Sequence, residues 1–240
     1  MAQVNEQQVG KILDYMRERN IFPGVRRISR PFDMEWALSA VDVIGKSRSP
    51  KFVIDDENRF VYENIIRWLY ADDKMQCIDP DDHSRKIAGD INKGIFIAGG
   101  TGTGKSWCVD IMCAFSKVVG ISTEIGGDTF RLTWGNKRAD TIATEYQTTG
   151  DYVGYANSAI LCINDLGSEQ TETVYMGNRL NVMRAILEYR GDKTDAITII
   201  TSNIPMQHRI FVEKYGDRVA SRMREMCNYF ELTGKDRRKL

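Results

Sequence analysis

The sequence predicts an α/β sandwich built around a parallel β-sheet. From residue 94 onward, short apolar runs alternate with polar turns and helical stretches, and such alternation forms parallel sheets through right-handed crossovers. The runs that begin at residues 94, 159 and 196 carry few polar side chains, as expected of strands that helices cover on both faces. The predicted strands are GIFIA (94–98), ISTEI (121–125), AILCIN (159–164), AITIIT (196–201) and NYFEL (228–232).

The composition is that of a globular protein. Of 240 residues, 42% are hydrophobic and 28% are charged, with 33 basic and 33 acidic side chains. Zero formal net charge argues against a general polyanion binder, because non-specific affinity for DNA depends on uncompensated lysine and arginine. The five cysteines and two histidines include no CxxC motif, which excludes a zinc site of familiar spacing. We therefore expect free, buried thiols in a reducing cytoplasm.

The sequence shows no feature of a membrane protein. No signal peptide opens the chain, and its longest uncharged runs fall well short of the roughly 18 residues that a membrane helix needs. We expect a cytoplasmic protein without a membrane partner.

Residues 1–50 are predicted to form an N-terminal partner-binding or linker region. Residues 6–19 carry apolar side chains at helical spacing, which predicts a short amphipathic helix. Prolines then punctuate a less regular stretch, and the polar segment GKSRSPK (45–51) marks a boundary. Residues 51–240 are assigned to a P-loop ATPase domain, which opens with a predicted helix over 57–73.

The segment GGTGTGKS (99–106) fits the phosphate-binding pattern G-x-x-x-x-G-K-[ST]. Its glycines let successive backbone N–H groups point at phosphate oxygens, and the helix that follows adds the positive end of its dipole. Lys105 would reach the β- and γ-phosphates, and the hydroxyl of Ser106 would bind Mg²⁺. The pattern therefore predicts binding of ATP or GTP with Mg²⁺. The predicted binding residues are Gly99, Gly100, Thr101, Gly102, Thr103, Gly104, Lys105, Ser106 and Trp107.

A P-loop enzyme also needs an acid at the end of a neighbouring strand, where it holds Mg²⁺ or orients water. Asp165 comes just after a buried apolar run and fits this requirement, unless it only caps the turn that follows. The adjacent Asn164 can hold a metal-bound water but supplies no negative charge. Asp165 is therefore either the catalytic base or a substitute metal ligand. Asn203 follows the next buried run and is predicted to stand beside the γ-phosphate, unless it simply begins the Asn-Ile-Pro turn.

Two arginines are candidates for a contact with a neighbouring subunit. Residues 209–226 carry an apolar stripe at helical spacing, and Arg218 and Arg222 share one face. Like charges at this spacing destabilise a helix by roughly 0.2–0.5 kcal/mol, which an anionic partner would offset. The γ-phosphate of a neighbouring subunit is such a partner, and an arginine presented to it raises turnover by roughly 10³–10⁵-fold. The alternative is a solvated helix face on which Glu225 relieves the repulsion.

The motifs GGTGTGKS, CINDLGSE, ITSN, YGDRVASRMREM and FELTGKDRRK together resemble those of DnaC/IstB-like AAA+ ATPases, which are bacterial helicase loaders and transposition helpers. The resemblance extends from about residue 90 to residue 240, and its last two motifs are the most specific. It implies a P-loop sheet in the order 5-1-4-3-2 without a full lid domain.

The resemblance also implies a role for each matching residue. Residues 99–106 become the Walker A motif, Asn164 and Asp165 the Walker B pair, and Asn203 sensor 1. Arg222 becomes the arginine finger, with Arg218 beside it. A sensor-2-like contact is implied for Arg237 or Arg238.

The function implied by the resemblance is that of an ATPase that converts ATP to ADP and phosphate, self-associates with ATP and contacts single-stranded DNA. The leading interpretation is a loader that delivers a replicative helicase to single strands during DNA replication. A transposition helper that engages a transposase is the alternative within the same class. A third interpretation is an ATP-dependent assembly switch with slow hydrolysis, because the family usually has an acid where this chain has Asn164. A small-molecule kinase is the most distant interpretation, since it would not need the arginine-bearing helix.

Residues 128–155 form the candidate DNA-contacting segment. Cations can follow a phosphate backbone, and aromatic faces stack unpaired bases at roughly 1–3 kcal/mol each. Related ATPases place a DNA-contacting insertion in this interval. The alternative is that the tyrosines belong to the core and the cations to an ordinary surface. The cations and aromatic residues concerned are Arg131, Lys137, Arg138, Trp134, Tyr146, Tyr152 and Tyr155.

Overall fold

The structure is a computed structural model that describes residues 6–19, 21 and 23–237. Its helices are α1 Glu6–Glu18, α2 Met34–Arg48, α3 Arg59–Tyr70, α4 Lys105–Val119, α5 Ala139–Thr149, α6 Val153–Asn157, α7 Val182–Gly191, α8 Arg209–Tyr215 and α9 Asp217–Met226. Its strands are β1 Val25–Arg26, β2 Gln76–Ile78, β3 Lys86–Ala88, β4 Gly94–Ala98, β5 Ser122–Ile125, β6 Asp128–Arg131, β7 Asn136–Arg138, β8 Ile160–Leu166, β9 Thr173–Tyr175, β10 Asn178–Leu180, β11 Ile197–Ser202 and β12 Cys227–Glu231. None of these helices combines the length and the apolarity that a membrane span requires.

Five of the described strands form the central sheet, in the order β12-β4-β11-β8-β7, and every neighbouring pair in it is parallel. Numbered along the chain, this is the predicted order 5-1-4-3-2, so the predicted fold class is confirmed. The inner strands β4, β11 and β8 are largely buried, as their scarcity of polar side chains predicted. Past β12, the described residues 232–237 contain no helix.

One predicted strand lies in a different sheet. Residues 121–125 were expected beside β8, but β5 instead pairs antiparallel with β1 and β6. The side chains of β5 alternate between buried and half-buried, which suits a sheet with one face toward solvent. The edge position beside β8 is occupied by β7, whose side chains are all exposed. The prediction is wrong here because β7 has no apolar pattern to mark it as a strand.

Helices cover both faces of the central sheet. Alternate residues of β4 point to opposite sides, so Ile95 and Ile97 join one hydrophobic core whereas Phe96 and Ala98 join the other. The first core is closed by α2, α3 and α4, and the second by α5, α7, α8 and α9. Burial on this scale stabilises each large apolar side chain by about 1.5–3 kcal/mol.

The five cysteines are buried free thiols, as predicted. Burial raises the pKa of Cys108 and Cys227 to about 12, so both thiols stay protonated at neutral pH and are poor nucleophiles. Within the described residues, no group of three or more histidine, cysteine or acidic side chains is arranged to hold a metal ion.

The segment before residue 50 packs against the segment that follows it. α1 matches the helix predicted over residues 6–19. Ala37, Leu38 and Val41 of α2 lie in the core that α3 and α4 share, and β1 pairs with β5. The predicted boundary at residue 50 therefore falls between elements of one core, and the division into a partner-binding region and an ATPase domain stays a prediction about function.

The helical stripe predicted over residues 209–226 is divided into α8 and α9. Gly216 separates them with a φ of 87°, a backbone conformation that favours glycine. The buried face nevertheless continues from Tyr215 to Val219 and Met223. The apolar spacing was read correctly, but the helix is not continuous.

A glycine at the start of β4 gives the first testable prediction. A Cβ atom on Gly94 would lie 1.9 Å from the carbonyl oxygen of Thr198 in β11, and a strand backbone cannot yield as a flexible side chain can. We expect Gly94→Ala to lower the free energy of unfolding by about 1–3 kcal/mol, the usual range for overpacking. Gly154→Ala is the matched control, since nothing lies within 4 Å of its added Cβ. Urea denaturation measures both variants, and equal stability of the two would contradict the packing argument.

Candidate functional site

A cavity of about 410 Å³ opens where β4, β11 and β8 end, a size suited to a small ligand. Ligands of parallel α/β sheets bind at the carboxyl ends of the strands, so this location agrees with the strand order. The cavity is lined by Arg48, Thr101, Gly102, Gly104, Lys105, Ser106, Trp107, Arg138, Asp165, Ser168, Asn203 and Arg237.

The predicted phosphate loop joins β4 to α4 beside this cavity. Gly102 and Gly104 have φ values of 84° and 96°, and Gly104 caps the first turn of α4. A Cβ atom on Gly102 would lie 2.1 Å from a carboxylate oxygen of Asp236, and the φ of this residue also favours glycine. Gly99, Gly100 and Thr103 do not line the cavity. Thr103 is instead buried beneath the loop, where its Oγ1 donates to the carbonyl of Gly100 at 3.0 Å.

Lys105, the first residue of α4, is 5% exposed and holds the loop together. Its Nζ donates to the carbonyl oxygens of Gly99 and Gly100, at 2.8 Å in each case, and to Oδ1 of Asn203 at 2.6 Å. Asn203 comes one residue after β11. The structure therefore brings together the lysine and the asparagine that were both predicted to stand near the β- and γ-phosphates.

Asn164 faces Ser106 at the position predicted for the metal. Oγ of Ser106 donates to Oδ1 of Asn164 at 3.0 Å, and the hydroxyl of Thr201 donates to the same oxygen. Asn164 is 7% exposed, so this amide oxygen is fixed in place. A hydroxyl and an amide oxygen are donors that Mg²⁺ accepts, although the ion usually also takes a carboxylate and phosphate oxygens. The donor set fits Mg²⁺ that is held mainly by phosphates, with Ser106 and Asn164 as the protein's contribution.

Thr201 is a residue of this site that the sequence reasoning missed. It is fully buried in β11, and its Oγ1 also accepts the backbone N–H of Asp165 at 2.9 Å. One hydroxyl thus orients both members of the predicted Walker B pair. A signal was present in the sequence, since Thr201 is a polar residue at the end of the apolar run 196–201.

Asp165 follows Asn164 in β8 and lines the cavity, where its carboxylate pairs with Arg138. Its φ is 55°, a left-handed conformation that Asp tolerates better than most residues, and the pairing of β11 with β8 shifts register beside it. Its carboxylate Oδ2 lies 3.2 Å from Nη1 of Arg138, and the side chain is 25% exposed. The acid therefore stands at the cavity wall in an ion pair.

Arg138 was predicted to contact DNA, and the structure places it at the cavity. It ends β7, pairs in register with Asn164 and lines the cavity. Lys137, its neighbour, forms an ion pair with Glu145 at 3.0 Å.

Two of the aromatic residues predicted to stack on DNA are buried. Trp134 and Tyr146 are 7% and 6% exposed and belong to the hydrophobic cores, while Tyr152 and Tyr155 are partly buried against one of them. Buried rings cannot stack unpaired bases, so the stacking role is wrong for Trp134 and Tyr146. The rings of Trp134 and Tyr146 instead pack into the two hydrophobic cores that cover the faces of the central sheet. For Tyr152 and Tyr155 the contact with DNA stays a prediction.

Arg218 and Arg222 lie on α9 and do not line the cavity of their own chain. Both contact Asp192, Arg218 at 3.4 Å, and Arg222 also contacts Glu225 at 3.3 Å. Asp192 therefore relieves the repulsion between the two arginines in addition to the predicted Glu225. Their exposed fractions are 63% and 30%, so Arg218 is the more accessible to a neighbouring molecule.

Arg237 brings the end of the described chain onto the phosphate loop. Its backbone N–H donates to the carbonyl of Gly102 at 2.9 Å, and its guanidinium lines the cavity. Two of its nitrogens bind the carboxylate of Asp55, at 2.9 and 2.7 Å, and this contact lowers the pKa of Asp55. Arg237 is thus in reach of a ligand in the cavity, as the sensor-2-like role requires. Arg238, the other candidate, lies outside the described residues.

Comparison with known proteins bears on the fold. A solved structure from Streptococcus pyogenes serotype M3, described as a primosome component, aligns with a TM-score of 0.51 and 18% sequence identity over 76% of this chain and 83% of that one. At this identity the likeness shows the fold alone, an α/β sandwich with a five-stranded parallel sheet in the P-loop strand order. This result is consistent with the resemblance of its motifs to DnaC/IstB-like ATPases.

Two further solved structures align less closely. A DnaC helicase loader gives a TM-score of 0.46 at 18% identity, over 75% of this chain and 93% of that one. Domain III of the DnaA replication initiation protein from Thermotoga maritima gives a TM-score of 0.48 at 16% sequence identity, over 79% of this chain and 69% of that one. These scores are too low to bear on function. No protein-family model and no curated protein sequence matches the chain.

The two hydrogen bonds of the Thr201 hydroxyl give a testable prediction. Thr201→Val removes the acceptor of the Asp165 N–H and the donor to Asn164, so we expect a loss of about 1–3 kcal/mol of stability. Mg²⁺-dependent nucleotide affinity should fall by about 10–100-fold, the usual effect of losing a group that orients a metal ligand. Thr201→Ser keeps the hydroxyl and should restore most of that affinity. Titration calorimetry with and without Mg²⁺ measures the difference, and equal affinities of the two variants would remove Thr201 from the site.

Proposed function

We propose that this chain is an ATP-binding AAA+ protein of the DnaC/IstB-like family that hydrolyses ATP slowly and acts in DNA replication. The observation that carries this proposal is the convergence of Lys105, Ser106 and Asn203 with Asn164 and Asp165 around one cavity. The motif resemblance supports the family, and the primosome description of a protein with the same fold supports replication as the process.

The charge of the cavity favours a polyanionic ligand. Four cationic side chains line it against the single carboxylate of Asp165. The cationic residues are Arg48, Lys105, Arg138 and Arg237. The phosphates of a nucleoside triphosphate would face these cations and would replace the loop carbonyls as acceptors for Lys105.

The chain's own residues divide the work of hydrolysis. The loop N–H groups and Lys105 bind the phosphates, and Ser106 and Asn164 would hold Mg²⁺. Bound Mg²⁺ would neutralise charge on the β- and γ-phosphates. Asn203 donates through its amide toward the terminal phosphate, and Asp165 accepts the proton of the attacking water.

An assembly switch with little turnover is the second candidate function, and Asn164 favours it. Its amide oxygen already accepts hydrogen bonds from Ser106 and Thr201, and it adds no charge to the metal site. Nucleotide binding would then control self-association, with Arg222 and Arg218 of one subunit reaching the nucleotide of the next. Single-stranded DNA remains a proposed ligand, with no surface assigned to it.

The proposed protein partner is a replicative helicase, and a transposase is the alternative. The two are separated by mixing the purified chain with each in the presence of ATP and following complex formation by size-exclusion chromatography. A stable complex with the transposase alone would replace the loader by the transposition helper.

The first test of the function concerns Lys105. Lys105→Ala should abolish detectable ATP binding, because it removes the charge that faces the phosphates. Lys117→Ala is the matched control, since this lysine lies on the exposed face at the other end of α4. Titration calorimetry decides between them. Unchanged affinity of the folded Lys105→Ala variant would refute the phosphate-loop assignment.

The second test concerns the Walker B pair. Asp165→Asn should leave ATP affinity nearly unchanged and lower turnover by about 10²–10⁴-fold, the contribution expected of a general base. Asn164→Asp should leave turnover unchanged or raise it, because it restores an acid beside Ser106. Phosphate release measured at saturating ATP gives both values. If Asp165→Asn hydrolyses ATP like the parent, Asp165 is not the base.

A further inference from the structure

Arg138 lines the cavity from the β7 edge of the central sheet, whereas the phosphate loop follows β4. This arginine is the last residue of the edge strand β7, and its register partner is Asn164 of β8. Its Nη1 lies 3.2 Å from the carboxylate of Asp165, and the side chain is half exposed at the cavity mouth. The end of the cavity that holds Asp165 and Asn203 is the end where the terminal phosphate of a bound nucleotide would lie.

Asp140 fixes the orientation of this guanidinium. Its carboxylate accepts from Nε of Arg138 at 3.0 Å and from Nη2 at 2.8 Å, and this pairing raises the pKa of Arg138 and lowers that of Asp140. Asp140 lies in the first turn of α5, where a negative charge is favourable. Because Asp140 holds the edge formed by Nε and Nη2, Nη1 is left to face Asp165 at the cavity wall.

The other arginines of the cavity are held by acids outside it. Arg48 pairs with Asp110, and Arg237 pairs with Asp55. Arg138 is the lining arginine whose partner, Asp165, is itself on the cavity wall. A terminal phosphate placed beside Asp165 would therefore meet the Nη1 edge without any rearrangement of β7 or α5.

We infer that Arg138 is a catalytic residue that acts in cis, contacting the terminal phosphate of the nucleotide bound to its own subunit, with Asp140 as its positioning residue. The inference rests on the proposed ATPase function. It assigns stabilisation of the transition state to the same chain that holds the phosphate loop, in addition to any arginine from a neighbouring subunit.

The reaction is the hydrolysis of ATP. The oxygen of water forms a bond to the γ-phosphorus while the bond from that phosphorus to the bridging oxygen breaks, and the electron pair stays on the β-phosphate of ADP. The proton of the water passes to Asp165. Arg138 exchanges no proton, since its guanidinium stays charged, and it balances the negative charge on the equatorial oxygens of the transferring group.

The same ion pair would have the opposite effect if Arg138 only restrained Asp165. In that case the arginine would hold the acid away from the attacking water, and its removal would speed hydrolysis. The sign of the change in turnover therefore separates a catalytic arginine from a restraining one.

The first experiment measures turnover at saturating ATP. Arg138→Ala should lower it by about 10²–10³-fold, the usual effect of removing one donor that stabilises a transition state. Arg138→Lys should recover part of the loss, since it keeps the charge but not the fork. Lys137→Ala is the matched control, because Lys137 pairs with Glu145 away from the cavity and should leave turnover unchanged. Faster hydrolysis by Arg138→Ala, or turnover equal to that of the parent, would overturn the inference.

Mixed assemblies test whether the arginine acts in cis. Arg138→Ala and Lys105→Ala each disable the pocket of the subunit that carries them, so a co-assembled mixture should recover no activity. Recovered activity would show that Arg138 serves a neighbouring subunit, and it would overturn the assignment in cis.

A binding measurement keeps failure of the inference distinct from failure of the proposed function. If the parent binds neither ADP nor a non-hydrolysable ATP analogue, the proposed function fails. If the parent binds both, Arg138→Ala should lose about tenfold of its preference for the analogue over ADP, because a charge-assisted contact to the extra phosphate is removed. An unchanged preference would overturn the inference even where hydrolysis is too slow to follow.

Discussion

The rest of the site depends on the two hydrogen bonds that the hydroxyl of Thr201 makes. This hydroxyl accepts the N–H of Asp165 and donates to Asn164, and Asn164 in turn accepts from Ser106. This chain of contacts joins β11 to β8, and β8 to the first turn of α4. It is possible only because β11 lies between β4 and β8 in the central sheet, so that the side chain of Thr201 stands between the phosphate loop and Asp165. The strand order of the fold thus determines the geometry of the site.

The sequence alone predicts the parts of the structure that have one strong local cause. Residues 94–98 form the predicted strand with the predicted bounds, because an apolar run ends at glycines. The helix after the phosphate loop was likewise located correctly. Parts that depend on pairing at a distance were not predictable. β7 consists of three exposed polar residues and exists because the edge of β8 offers it hydrogen bonds.

The same difference explains which site residues were found. Lys105 and Ser106 belong to a contiguous motif, and Asn164, Asp165 and Asn203 end apolar runs, so each carries its own signal. Arg138 has no such signal. It reaches the cavity because its register with Asn164 aligns two strand ends, whereas the composition of its segment and the family resemblance suggested a nucleic-acid contact. Register within a parallel sheet is a tertiary property, and a single-sequence pattern does not specify it.

The charges at the carboxyl edge of the sheet bear on the choice between an ATPase and an assembly switch with little turnover. Asn164 leaves the metal position without an acid, and Arg138 neutralises the acid that is present. The cavity is therefore more positive than one with two free carboxylates, which under the proposed function would strengthen binding of the triphosphate and of ADP alike. Such binding does not by itself accelerate hydrolysis, because only contacts that strengthen in the transition state do so.

Arg138 can supply such a contact, since the negative charge that it faces builds up on the transferring phosphoryl group. Arg218 and Arg222 could add to it from a neighbouring subunit at little cost, because exposed ion pairs such as theirs with Asp192 contribute only about 0–1 kcal/mol. Under the proposed ATPase function, turnover would then depend on how closely these arginines follow the terminal phosphate, and less on how tightly the loop holds the nucleotide.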